Sequence, residues 1–171
     1  MDVRRVDPPA SADEKTMLTA FLEFHRDTLR WKCERLTPEQ LLRRASPPST
    51  LRLLGLIRHL TEVEASWFSH HFAGGPRVWA YGSEEDPDGD LNVTQADAAS
   101  VADAWARYDE EVERSRAVLA AGDLDAMAAG VTRRGETFSL RWIVLHMIEE
   151  YSRHNGHADL LREAIDGETG E

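Results

Sequence analysis

The sequence has very little cysteine: Cys33 is the single one among 171 residues. A lone cysteine excludes an intramolecular disulfide and a zinc site built from several thiolates. The sequence also lacks any apolar run of about 18 residues, so no membrane-spanning helix is expected. The N-terminal stretch MDVRRVDPPASADE has two arginines with no apolar run behind them and is unlike a secretory signal peptide. We therefore expect a cytoplasmic protein.

Positive charge is also scarce, since 20 Lys and Arg residues stand against 31 Asp and Glu residues, for a formal net charge of −11 at pH 7. Proteins that bind nucleic acid draw much of their affinity from basic side chains that neutralise phosphates. The arginines of this chain are scattered among acidic residues and form no basic stripe. We therefore predict that the protein binds neither DNA nor RNA.

The length and composition suit one folded domain. A chain of 171 residues with 42% hydrophobic residues is long enough to bury a core without disulfides or other staples. We predict a single domain over residues 1–171, in which residues 1–10 and 167–171 are flexible tails.

Apolar residues recur at the three-and-four spacing of amphipathic helices in four long segments. These segments run approximately over residues 11–36, 49 or 50 to 72, 95–121 and 139–165. After the first of them, Thr37, Pro38 and Gln40 have the pattern of a capping box and predict a short helix. Residues 76–93 are rich in Gly, Pro and Asp and predict a long loop. The pattern predicts an all-α fold, a four-helix bundle with a long loop between helices two and three.

The stretch HMIEEYSRHNGHADLL in the fourth segment places charged residues and histidines among core positions. At 100° per residue, His154 falls on the apolar face of the helix. Glu150 lies about 40° and His157 about 60° to one side of His154, still inward, whereas Glu149 and Arg153 lie toward solvent. A buried carboxylate is costly unless it is paired or bound to a cation. Glu150 therefore needs a positively charged partner.

A divalent metal is one such partner. Glu150 and His154 are one helical turn apart, so both can reach one point beside the helix, and helix bundles build metal sites from inward groups on facing helices. His59 is the natural third ligand, because it lies on the apolar face of the second helix, and His25 has a similar place in the first. Two alternatives remain open. A histidine on an apolar face is more often a packed core residue, and Glu150 can pair with an inward arginine such as Arg26, Arg30 or Arg52.

Taken together, the segments GLIRHLTEVEASWF and LHMIEEYSRHNGHADLLRE make the chain resemble the DinB-like metal-binding four-helix bundles. More closely, it looks like the small actinobacterial DinB-family proteins, whose relatives include mycothiol-dependent maleylpyruvate isomerase. The resemblance extends from FLEFHRDTLRWKCERL to LLREAIDG, almost the whole chain. It implies a divalent metal, zinc or nickel, held by His59, Glu150 and His154. Where many members end this motif in HxGQ, this chain has His157, which implies either a group that supports the site or a fourth ligand.

The resemblance also implies a chemistry. In these relatives the metal is thought to activate a low-molecular-weight thiol such as mycothiol, which then attacks the substrate, and coordination lowers the pKa of a thiol. Three protein ligands leave coordination positions open for such a reaction. We therefore interpret the chain as a metal-dependent thiol transferase or isomerase. The alternatives are a non-catalytic metal-binding or stress-response bundle, which a closed site with His157 bound would favour, and a purely structural bundle.

Aromatic residues suggest self-association. The chain has more large aromatic side chains than one small bundle needs, and some of them can form an exposed apolar patch of the kind that marks a partner surface. The residues concerned are Trp31, Trp67, Phe68, Phe72, Trp79, Trp105 and Trp142. We predict a homodimer.

Overall fold

The computed structural model describes residues 5–131 and 134–170. Its helical elements are α1 (Glu14–Cys33), α2 (Pro38–Leu41), α3 (Leu53–Glu64), a π-helical segment (Ala65–Phe72), α4 (Ala98–Ala121) and α5 (Leu140–Asp166). Extended pairing in these residues is confined to one isolated bridge between Met127 and Ser139. The predicted all-α bundle and its long loop are confirmed. No helix within the described ranges is long and apolar enough to cross a membrane.

Local sequence explains most helix ends. Asp13, Asp97 and Ser139 begin α1, α4 and α5 by accepting a backbone N–H of the first turn through their side chains. The predicted capping box of α2 is present, with Thr37 and Gln40 each accepting a backbone N–H from the other. Helix α3 begins later than predicted. The Ser49 side chain accepts the Leu51 N–H instead, which keeps that stretch in a turn.

The π-helical segment was not predicted from the sequence. It continues α3 without a break and ends with an i to i−5 hydrogen bond of 3.0 Å from Ala73 N–H to the Phe68 carbonyl. An apolar pattern over eight residues cannot separate a π-helix from an α-helix, because both bury one face. The wider helical turn changes the direction in which Trp67 and the residues after it point.

Helices α1 and α5 run parallel and have the most extensive contact in the bundle. Glu14 pairs with Arg141 near their first turns, and Lys32 pairs with Asp159 near their last turns. Helix α3 runs antiparallel to α5, because His59 lies beside Glu150 and His154 whereas the later Trp67 contacts the earlier Trp142.

Helix α4 runs antiparallel to α1, since Lys15 reaches the carbonyl of Ala120 and Arg30 pairs with Asp109. The direction of the chain is therefore up in α1, down in α3, down in α4 and up in α5. Two successive helices of the same direction need a long crossover connection, which residues 73–97 provide.

A buried polar network joins all four long helices. Arg26 of α1 donates two hydrogen bonds of 2.8 Å to the carboxylate of Glu64 at the end of α3. Tyr151 of α5 donates to the same carboxylate at 2.8 Å, and its hydroxyl lies 2.9 Å from that of Tyr108 in α4. All four side chains are almost inaccessible to solvent. The network fixes the relative positions of the helices, because each member is satisfied only when the others are in place.

The predicted tails are partly outside the described residues, namely residues 1–4 and 171. Of the described part, Glu168 pairs with Arg162, and the Gly170 carbonyl accepts a hydrogen bond of 2.9 Å from Lys32. The flexibility of these tails stays a prediction.

Candidate metal centre

His59, Glu150 and His154 converge between α3 and α5. One potential ligand atom of each lies within 4.8 Å of those of the other two. The His59 Nε2 is 3.9 Å from the Glu150 Oε1, and the rings of His59 and His154 lie 4.7 Å apart between centroids. The structure thus brings together the three residues that the sequence singled out.

Helix α5 presents its two members of this group as the helical wheel predicted. His154 is buried, together with the apolar residues that share its face, which are Ile143, Met147, Ala158 and Leu161. The Glu150 side chain is 14% exposed, whereas those of Glu149 and Arg153 are 53% and 54% exposed. The two adjacent glutamates therefore have the different environments that the helix phase predicted.

The surroundings of His154 favour its neutral form. Burial is the main reason that its pKa falls to about 4, and the nearby His59, His157 and Arg153 lower the pKa further. A neutral imidazole is the form that binds a metal ion. At neutral pH, His154 therefore needs to lose no proton to become a ligand.

Glu150 is only partly compensated by the protein. Its Oε2 atom is buried and has no hydrogen-bond partner among the described residues. Arg153 Nη1 lies 3.0 Å from that atom without hydrogen-bond alignment, and the same guanidinium also binds Glu149 at the surface. The other oxygen, Oε1, lies 3.9 Å from the His59 Nε2, and a carboxylate beside two imidazoles is a donor set that fits a divalent cation such as zinc or nickel.

The arginine partners considered for Glu150 lie elsewhere. Arg26 binds Glu64 in the core, Arg30 pairs with Asp109, and Arg52 donates to the carbonyl of Thr50. None of these three contacts involves Glu150.

Of two further histidines, His157 adjoins the site and His25 lies in a different interface. His157 Nδ1 lies 3.4 Å from His154 Nδ1, and the two rings make an edge contact. It does not belong to the group of converging ligand atoms. His25 lies at the interface of α1 and α5, where its Nε2 is 3.1 Å from the Ser152 hydroxyl and its carbonyl accepts a hydrogen bond from Asn155. His25 is therefore a packing residue of the bundle.

The long loop between the π-helical segment and α4 also reaches the site, a contact that the sequence analysis missed. Asp90 Oδ2 lies 2.8 Å from His59 Nδ1, on the opposite side of the ring from Glu150. Only the concentration of aspartates in EEDPDGD marked this part of the loop. No spacing rule connects a loop carboxylate to a histidine that lies 31 residues earlier.

A row of aromatic rings lies between this site and the start of α5. Phe138 stacks on Trp142 with 4.1 Å between the ring centroids, and Trp142 stacks on His146 with 5.1 Å between theirs. Trp67 of the π-helical segment contacts all three rings. His146 is one helical turn before Glu150, so the aromatic row adjoins the three converging residues.

A family model described as Mycothiol-S-transferase matches residues 17–167. The matched range contains His59, Asp90, Glu150 and His154. No curated protein matches the chain.

Proposed function

This chain belongs to the mycothiol-S-transferase family, a DinB-like family, and we propose on that basis that it is a metal-dependent enzyme that uses mycothiol or a similar low-molecular-weight thiol. The reaction is a transfer or an isomerisation in which the thiol loses its proton and its sulfur bonds to an electrophilic carbon of the substrate, either by addition, which breaks a π bond at that carbon, or by displacement of a leaving group that departs with the bonding electron pair. The observation that carries the proposal is the convergence of His59, Glu150 and His154 within 4.8 Å.

The three side chains would hold a divalent cation, zinc or nickel. A cation held there would lower the pKa of a coordinated thiol, so that thiolate would be available at neutral pH. His59 and His154 would be its neutral imidazole ligands, and Glu150 would offset only one of its two positive charges. The charge left over would favour an anionic sulfur. The burial of His154 lowers the local polarity on one side of the site, which strengthens these electrostatic interactions.

The chain's own cysteine cannot supply the sulfur. Cys33 is 3% exposed, and burial raises its pKa to about 12. A thiol is nucleophilic only as thiolate, so Cys33 is unreactive at neutral pH. An external thiol therefore has to provide the nucleophile, in agreement with the name of the family.

The partners proposed are thus a small-molecule thiol and an electrophilic substrate. The net charge of −11 argues against nucleic acid. We also propose that the protein is a homodimer, and the exposed Trp142 and Leu145 on α5 are candidates for its interface.

Metal analysis of protein purified without a histidine tag tests the site. We expect stoichiometric divalent metal in the wild type and in His25→Ala, and strongly reduced metal in His59→Ala and His154→Ala. His25→Ala is the matched control, because it removes a half-buried histidine of the same bundle outside the converging group. Equal metal content in all four proteins would contradict the assignment.

The chemistry needs a second measurement. Wild-type protein is incubated with mycothiol and a panel of electrophiles, with and without a chelator, and conjugates are detected by mass spectrometry. We expect conjugation that the chelator abolishes and that added zinc or nickel restores. Tight metal binding without conjugation would favour the rival function, a non-catalytic metal-binding or stress-response bundle, and the proximity of His157 to His154 is the observation behind that rival.

A further inference from the structure

Asp90 contacts the His59 ring on the side away from Glu150. Its Oδ2 lies 2.8 Å from His59 Nδ1, while His59 Nε2 lies 3.9 Å from Glu150 Oε1. The two nitrogens of one imidazole therefore face different partners. We propose that Asp90 is a positioning residue for the His59 ring, an inference that rests on the metal site of the proposed function. Its carboxylate accepts a hydrogen bond from the Nδ1–H of His59. This contact fixes the tautomer that carries its proton on Nδ1 and leaves the Nε2 lone pair directed at the metal.

The Asp90 carboxylate is itself held in place. The side chain is buried, and its Oδ1 accepts the N–H of Leu91 at 2.7 Å. The neighbouring Arg58 attracts the Asp90 carboxylate electrostatically, but its guanidinium donates its hydrogen bond to the Gly89 carbonyl at 2.8 Å. A buried carboxylate that has no direct hydrogen bond from this cation gains from further positive charge nearby. A cation on the far nitrogen of His59 polarises the ring and strengthens its N–H bond to Asp90.

The loop around Asp90 is attached to α3 at three places along one side of the helix. Glu62 Oε1 accepts the backbone N–H groups of residues 80, 81 and 82 at 2.7 to 3.1 Å. Arg58 binds Gly89, and His59 binds Asp90. The backbone after Asp90 lies directly on the helix, because a Cβ added at Gly55 would be 3.0 Å from the Leu91 carbonyl oxygen.

Of these three attachments, the one through His59 includes a metal ligand. Metal binding therefore strengthens that attachment and leaves the contacts of Glu62 and Arg58 unchanged. For this reason, residues 88–91 should be better ordered when the metal is bound than when it is absent. By the same linkage, the contact of Asp90 with His59 should raise the affinity of the site for the metal.

The test compares zinc affinity in competition with a chromophoric chelator. Asp90→Asn keeps the shape of the side chain but removes its charge, and we expect affinity to fall by about tenfold to a hundredfold, as for other partners of metal-bound histidines. The cobalt-substituted variant should have a changed visible absorption spectrum, a signature of ligand geometry that a general loss of stability does not produce. Asp90→Glu, which restores the carboxylate, should recover part of the affinity.

Two control variants separate the causes. Asp88→Asn removes an exposed carboxylate from the same loop and should bind zinc like the wild type. Glu62→Gln weakens another attachment of the loop without touching His59, and it should change the affinity less than Asp90→Asn does. If Asp90→Asn binds zinc as tightly as Asp88→Asn, the positioning role of Asp90 is refuted.

Hydrogen exchange of the wild-type protein tests the coupling without a substitution. Added zinc should slow exchange at residues 88–91 more than at residues 80–82. Unchanged exchange at residues 88–91 would refute the coupling. A different result would refute the proposed metal site itself, namely equal zinc affinity in His59→Ala and the wild type. If His59→Ala loses the metal and Asp90→Asn keeps it, only the inference about Asp90 fails.

Discussion

Glu149 and Glu150 are neighbours in the chain, yet their carboxylates lie in opposite environments. Glu149 is on the surface, where it pairs with Arg153, whereas Glu150 is nearly buried and faces His59 between α3 and α5. Substitutions at Glu149 and Glu150 can therefore be compared directly, because the two side chains have the same chemistry and differ only in the direction in which they point.

Glu150→Gln should weaken metal binding by about tenfold or more, because it removes a charged ligand from the proposed site. In the metal-free form the same change should not destabilise the protein, since it removes a poorly compensated inward charge. Glu149→Gln should leave both properties within about 0.5 kcal/mol of the wild type. Metal-competition titration and thermal melting of the metal-free proteins measure both effects. A larger loss of affinity in Glu149→Gln would show that the proposed ligand set is wrong.

The buried network should contribute measurably to the stability of the bundle. Glu64→Gln removes the fully buried one of the two carboxylates that bind Arg26 and leaves it only the partly exposed Glu23, so we expect the free energy of unfolding to fall by about 3 kcal/mol. Tyr151→Phe removes a hydroxyl that donates to the same carboxylate and should cost about 1–2 kcal/mol.

Glu113→Gln is the control for the network, because Glu113 pairs with Arg116 on the exposed face of α4. It should change the free energy of unfolding by less than about 1 kcal/mol. Urea denaturation monitored by circular dichroism gives all three values. Equal losses in Glu64→Gln and Glu113→Gln would mean that the buried pair adds no more than a surface pair.

The metal-free protein should lose stability as the pH falls from about 6.5 to about 4. Burial lowers the pKa of His154 to about 4, from an ordinary value near 6.5 in the unfolded chain. Between these values the unfolded state binds more protons than the folded state, so acidification favours unfolding. The full effect of this one group is at most about 3 kcal/mol.

Urea denaturation at a series of pH values, with metal removed, measures this dependence. His154→Gln removes the titrating group, so its stability should fall less steeply than that of the wild type between pH 6.5 and 5. Carboxylates titrate in both proteins and cancel in the comparison. Parallel curves for the two proteins would contradict the prediction.

Self-association should depend on the exposed apolar side chains of α5. Trp142 and Leu145 are 41% and 51% exposed. Met127, which forms a bridge with Ser139 just before α5, is also exposed. Light scattering should give about twice the chain mass of 19.3 kDa for the wild type. The double variant Trp142→Ser, Leu145→Ser should be monomeric, and Phe21→Ser, which changes an exposed apolar residue of α1, should not. A wild-type monomer over a wide concentration range would end the proposal.

The sequence by itself determined the helices and the direction of the side chains on each helix. The spacing of 100° per residue is a property of the α-helix alone, so it placed Glu150 and His154 inward and Glu149 and Arg153 outward. The capping residues likewise act within a few positions of one another, which is why the start of α2 was predicted correctly. The place of His59 on the apolar face of its helix followed from the same local rule.

The tertiary structure alone decided which inward groups meet. Arg26 was a possible partner of Glu150, yet it binds Glu64, because the packing of four helices at once sets the distances across the core. Asp90 reaches His59 from a loop whose path depends on the crossover between two helices of the same direction. The π-helical turn is also chosen by packing, since its residues suit an α-helix equally well. Contacts between elements depend on the whole folded chain, and no local spacing in the sequence encodes them.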